Sequence, residues 1–67
     1  MFNKDDKVEI KSCVDDPRAA GRTGYIVDEK PPGPLTQGRW TVNGIGFWIA
    51  PVLCHASELR VIKPAAR

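Results

Sequence analysis

The stretch Arg39-Trp40-Thr41-Val42-Asn43-Gly44-Ile45-Gly46-Phe47-Trp48-Ile49 constrains the fold more than any other part of the chain. Two runs rich in β-branched and aromatic residues meet at Asn-Gly, a dipeptide that readily takes the positive φ angles of a type I′ turn. The expectation is a tight hairpin with its register set by a two-residue turn. Val42 then lies opposite Ile45, Thr41 opposite Gly46, Trp40 opposite Phe47 and Arg39 opposite Trp48. Alternation assigns Trp40, Val42, Ile45, Phe47 and Ile49 to a core face, and Arg39, Thr41 and Trp48 to the outward face.

The remaining segments read as short strands broken by turns. Lys7-Val8-Glu9-Ile10-Lys11 alternates charge and aliphatic side chain, with Val8 and Ile10 inward. Residues 12–22 form a loop, marked by Asp15-Asp16-Pro17 and Gly21. Thr23-Gly24-Tyr25-Ile26-Val27-Asp28 reads as a second strand. Lys30-Pro31-Pro32-Gly33-Pro34 can enter neither a helix interior nor a central strand and reads as a stiff connection. Pro51 ends the hairpin, residues 52–56 give a single helical turn, and residues 57–62 give a last strand before a tail expected to fray.

A chain of 67 residues is one domain, residues 1–67, with an ordered core expected over about 5–62. A domain this small buries only about 60% of its unfolded surface, which leaves little room for a deep enclosed site. Ten Lys and Arg against eight Asp and Glu give +2, a mild bias that permits nucleic acid without requiring it. No apolar run approaches the roughly 20 residues that span a bilayer, so no membrane partner is expected. The first residues show no apolar signal region, which makes the cytoplasm the default location. Two cysteines are too few for a disulfide scaffold and are expected as buried thiols.

Five short strands, a long first loop and a helical turn before the last strand describe a small closed barrel. The chain resembles the SH3-like barrel superfold, and its Gly21-Arg22-Thr23-Gly24-Tyr25-Ile26 is similar to the glycine-led element of KOW domains. The closing Ala56-Ser57-Glu58-Leu59-Arg60-Val61-Ile62 is similar to the final turn and strand of such barrels. The implied fold is all-β, a single five-stranded SH3-like barrel with a short helical turn before its last strand. The implied core is Val8, Ile10, Ile26, Trp40, Val42, Phe47, Ile49, Leu59 and Val61.

The chain also resembles the plasmid-borne type II dihydrofolate reductases, tetramers of SH3-like barrels around one pore. The likeness runs through residues 6–12, Gly24-Tyr25-Ile26-Val27, Leu35-Thr36-Gln37-Gly38, Ile49-Ala50-Pro51-Val52 and residues 58–62. That family works through a Val-Gln-Ile-Tyr segment before a proline and a lysine in the first strand. Aligned on Pro51, this chain has Phe47-Trp48-Ile49-Ala50, and Ile10 falls at the lysine position with Lys11 adjacent. An indole has one donor and no acceptor, so Trp48 cannot reproduce the paired hydrogen bonds of an amide. The resemblance implies shared fold and not that activity. An oligomeric enzyme with Trp48 and Ile49 lining a shared pore is the third-ranked alternative.

Reactive residue types are few. Cys13, Cys54 and His55 supply three candidate metal ligands where a structural zinc needs four, so no metal is expected. The pairs Asp5-Asp6 and Asp15-Asp16 sit beside a terminus and a turn, where carboxylates shape backbone, and no acid–base partner accompanies them. Gly21 and Gly24 precede no helix and form no phosphate cradle. No catalytic residues and no cofactor are therefore assigned, and the chain is read as a non-enzymatic binding module, a monomer in the first instance. Trp48, Tyr25, Arg39, Arg22 and Lys11 are the candidate ligand-binding residues, with outward aromatics for stacking and cations for phosphate. Nucleic acid is the expected ligand. A protein partner meeting the same face, with Gln37 and the Pro31 to Pro34 loop, is the alternative.

Overall fold

The computed structural model describes residues 2–46 and 49–65; strands lie at four of the five expected positions, and the remaining strand falls at residues 52–54, where the sequence predicts a helical turn. The strands are β1 Lys7–Ile10, β2 Thr23–Ile26, β3 Trp40–Asn43, β4 Val52–Cys54 and β5 Leu59–Lys63. They form one antiparallel sheet in the order β4-β3-β2-β1-β5. Short 3-10 turns at Pro17–Ala19, Pro34–Thr36 and Ala56–Glu58 are the helical elements among the described residues. No pairing joins β4 to β5 among those residues, so the sheet keeps two edges.

The apolar side chains collect on one side of this sheet. Val8 and Ile10 from β1, Ile26 from β2, Trp40 and Val42 from β3, Val52 and Cys54 from β4 and Leu59 from β5 are all buried there. Cys13, Ala19 and Ile45 reach the same cluster from loops. Phe2 packs edge-on against Trp40, ring centroids 5.3 Å apart, so contact with the core begins at the second residue. At the other end, Asp6 accepts backbone N–H groups from both Asn3 (2.8 Å) and Ala65 (2.7 Å), tying the two terminal segments together.

The hairpin differs from the sequence expectation. Asn43 does not occupy a type I′ turn; it belongs to β3 and pairs with Tyr25 of β2. Gly44 takes a positive φ there, +71°, and the strand that pairs with β3 on that side begins at Val52. Val42 lies opposite Val52 rather than Ile45, and Trp40 lies opposite Cys54 rather than Phe47. Among the described residues of the expected second strand, Gly46 and Ile49 form an isolated bridge with each other. The reason is packing: Ile45 is buried against Gly24, where a Cβ would lie 2.9 Å from the Ile45 Cγ1. A two-residue turn would have used Asn43 as turn residue and forfeited its pairing with β2.

Two further shifts follow. Residues 52–54 form a strand, and the helical turn moves on to Ala56–Glu58. Val61, expected in the core, is 36% exposed because β5 is an edge strand with a register shift beside it. Ile49 is partly buried against the core, and Phe47 lies outside the described residues.

Candidate functional site

The face of the sheet turned away from the core carries a row of polar and aromatic side chains. Lys63 of β5 is paired with Lys7 of β1, Lys7 with Tyr25 of β2, and Tyr25 with Asn43 of β3. Tyr25 is 46% exposed, its ring edge lying close over Gly44, where a Cβ would be 3.2 Å from Cδ2. A shallow open depression of about 300 Å³ lies beside it, bordered by Lys4, Asp5, Val27, Asn43 and Gly44. Like charges directly opposite on neighbouring strands are destabilising, so the Lys7–Lys63 pair costs the fold something. Among the described residues neither ammonium lies within 4.0 Å of a carboxylate.

Apart from Asp5, which borders the depression, the carboxylates have partners of their own. Asp6, Asp15, Asp28 and Glu58 accept backbone N–H groups: Asp15 from Leu53 at 3.1 Å, Asp28 from Thr41 at 2.7 Å, and Glu58 from both His55 at 2.8 Å and Val14 at 3.1 Å. Glu9, Asp16 and Glu29 pair with Arg60, Arg18 and Lys4. Hydrogen bonds from Arg18 hold the Asp16 carboxyl below its ordinary range. Half of the eight acids therefore fasten backbone segments to one another. Lys7, Lys11, Arg22, Lys30, Arg39 and Lys63 meet no carboxylate within 4.0 Å among the described residues.

Four of the five candidate residues from the sequence lie among the described residues. Tyr25 is on the outward face, and Lys11 continues the outward series of Lys7 and Glu9 just beyond β1. Arg22 departs from the expectation. It shares the alternation of buried Gly24 and Ile26, its Nε donates to the Arg18 carbonyl at 3.2 Å, and its guanidinium lies against Gly46. The sheet separates it from Tyr25. Arg39 is half-buried, with its Nε donating to the Thr36 carbonyl at 3.1 Å in the β2–β3 loop. Four residues further along the same strand, Asn43 reaches the Tyr25 row, roughly 13 Å away at strand spacing. Trp48 lies outside the described residues.

Lys7, Lys63 and Asn43 were missed as site residues. The alternation already turned Lys7 outward, but nothing local shows that its cross-strand neighbours are Tyr25 and a second lysine. Lys63 was assigned to a fraying tail, whereas it is the last residue of β5.

On the core side, the Cys13 and Cys54 thiols face each other, Sγ to Sγ 3.5 Å, and both are buried. Burial first, and then the contact with Cys13, pushes the Cys54 thiol up to about 12. His55 points to solvent, and no group of three potential metal-ligating side chains is assembled among the described residues. Comparison with family models, curated proteins and solved structures found no match to this chain.

Proposed function

We propose that this protein is a small non-enzymatic binding module that takes nucleic acid on the outward row Lys63–Lys7–Tyr25–Asn43, with Lys11 extending the contact. The observation that carries the reading is the pair of opposed lysines beside a half-exposed tyrosine, with no carboxylate within 4.0 Å of either ammonium among the described residues. Such a pair is unfavourable in isolation and becomes favourable when a phosphate lies between the two ammonium groups. Tyr25 offers a face on which an unpaired base can stack, and Asn43 beside it offers both donors and an acceptor to a base edge. In the same reading the coiled five-stranded sheet is an SH3-like barrel whose glycine-led β2 supplies the aromatic.

Titration of labelled single- and double-stranded DNA and RNA at low and moderate salt tests this. Binding of a single strand should weaken with salt, and Tyr25→Ala should cost about 1–3 kcal/mol of affinity at constant salt. Amide chemical shifts unchanged by every oligonucleotide, even at low salt, would end the proposal.

One observation favours a protein partner instead. Leu35 is fully exposed on a turn flanked by Pro31, Pro32 and Pro34, which border an open groove of about 390 Å³. A stiff loop presenting one apolar side chain suits an anchor contact. Leu35→Ser would abolish partner binding and leave oligonucleotide binding intact, which separates the two readings.

A further inference from the structure

The β1–β2 loop and strand β4 each bring one cysteine to the same buried point. The Cys54 thiol donates to Cys13 Sγ across 3.5 Å, and Cys13 Sγ also accepts the Asp16 N–H at 3.4 Å. The segment around the pair is fastened on both flanks. Leu53 N–H donates to Asp15 at 3.1 Å, and Val14 N–H donates to Glu58 at 3.1 Å. The two sulfurs thus belong to separate parts of the chain, 41 residues apart, held in mutual contact by interactions that do not involve sulfur. Bonding needs the 3.5 Å separation to close to about 2.05 Å.

We propose that Cys13 and Cys54 form a reversible intramolecular disulfide when the folded protein meets a low-molecular-weight disulfide oxidant, locking the β1–β2 loop to strand β4. Cys13 is the first to react. It lies in a loop, whereas Cys54 lies in a paired strand and keeps its proton. The Cys13 thiolate attacks one sulfur of the oxidant, the oxidant's S–S bond breaks, and one thiolate leaves and takes up the proton that Cys13 released. Cys54 sulfur then attacks the Cys13 side of the mixed disulfide, displacing the second thiol, which carries away the Cys54 proton. Two protein thiols are oxidised and one disulfide molecule is reduced to two thiols.

The experiment is incubation of the full chain with oxidised glutathione under native, mildly alkaline conditions, followed by intact mass and thiol titration. The expected product is a monomer lighter by two hydrogen atoms, with no reactive thiol until a reductant is added. Its melting temperature should rise by about 8 °C or more, since closing so long a loop is typically strongly stabilising. Cys54→Ala should stop at a stable glutathione adduct on Cys13, and Cys13→Ala should leave Cys54 unmodified until denaturant is added. A wild-type chain that retains a glutathione adduct, crosslinks to a second chain, or keeps both thiols unchanged while folded overturns the proposal. The wild-type mass decides this even where a variant fails to fold.

Discussion

Gly24 shows how one atom decides a contact. A Cβ at this position would lie 2.6 Å from Val42 Cγ1, 2.8 Å from the Asn43 carbonyl oxygen and 2.9 Å from Ile45 Cγ1. One of the three is backbone, so the clash cannot be relieved by a side-chain rotation alone. Gly24→Ala should destabilise the fold by about 1–3 kcal/mol or more, read as a lower urea midpoint, by overpacking the β2–β3 contact. Glu58 acts in the opposite sense, because its removal leaves groups without partners. Both of its oxygens accept backbone N–H groups, from His55 and Val14. The two bonds are part-buried, so Glu58→Ala should cost about 0.5–1.5 kcal/mol for each bond lost, and Glu58→Gln, with one acceptor oxygen, should lose less. Cys54 adds a pH dependence. Its folded thiol is raised to about 12 from an ordinary 9.0, so folding favours the protonated form. That stabilisation is complete below pH 9.0 and is lost as pH rises from there toward 12. Reduced wild type should therefore show a falling melting temperature across that range, and Cys54→Ala should flatten the fall.

At the scale of elements, β3 holds the sheet together. It pairs with β2 on one side and β4 on the other, and it contributes the largest core side chain, Trp40. Truncation of a buried aromatic typically costs about 3–5 kcal/mol. A domain of 67 residues has a total stability of roughly 3–10 kcal/mol at usual values per residue. Trp40→Ala should therefore leave the chain largely unfolded at room temperature, seen as loss of dispersed amide resonances. Phe2, edge-on to Trp40, loses its partner in the same variant. The edge strand β5 behaves differently: Arg60, Val61, Ile62 and Lys63 are all exposed. Arg60 and Lys63 also discourage another chain from adding to that edge.

For the whole molecule, the engagement of the acids matters more than the net charge of +2. The carboxylates that accept backbone N–H groups tie loops to strands, while lysines on the outward face remain uncommitted. If Lys7, Lys63 and Lys11 each meet one phosphate of a single strand, log K against log salt should slope at roughly −2. Lys7→Gln should flatten that slope by about 0.7, because one fewer counterion is displaced. Arg22→Gln should leave it unchanged, because the sheet separates Arg22 from that row. Titrations at several salt concentrations check both.

The sequence by itself determined the positions of β1, β2, β3 and β5, the buried alternation of Val8, Ile10, Ile26, Trp40 and Val42, and the outward direction of Tyr25. Each of these follows from period-two patterning and turn chemistry within a few residues, which is local information. The path of residues 43–52 was decided only by tertiary structure, since Asn-Gly is equally suited to a tight turn and to a strand end followed by one left-handed glycine. The choice fell to Ile45 packing on Gly24 and to Asn43 pairing with Tyr25, contacts about twenty residues apart in the chain. The candidate site divides in the same way. Tyr25 and Lys11 were legible from their own strands, but Lys7 gains its meaning from Lys63, which only the β1–β5 pairing brings opposite it. Arg22 shares the alternation of Gly24 and Ile26, and its contacts with the Arg18 carbonyl and with Gly46 are likewise supplied by other segments of the fold.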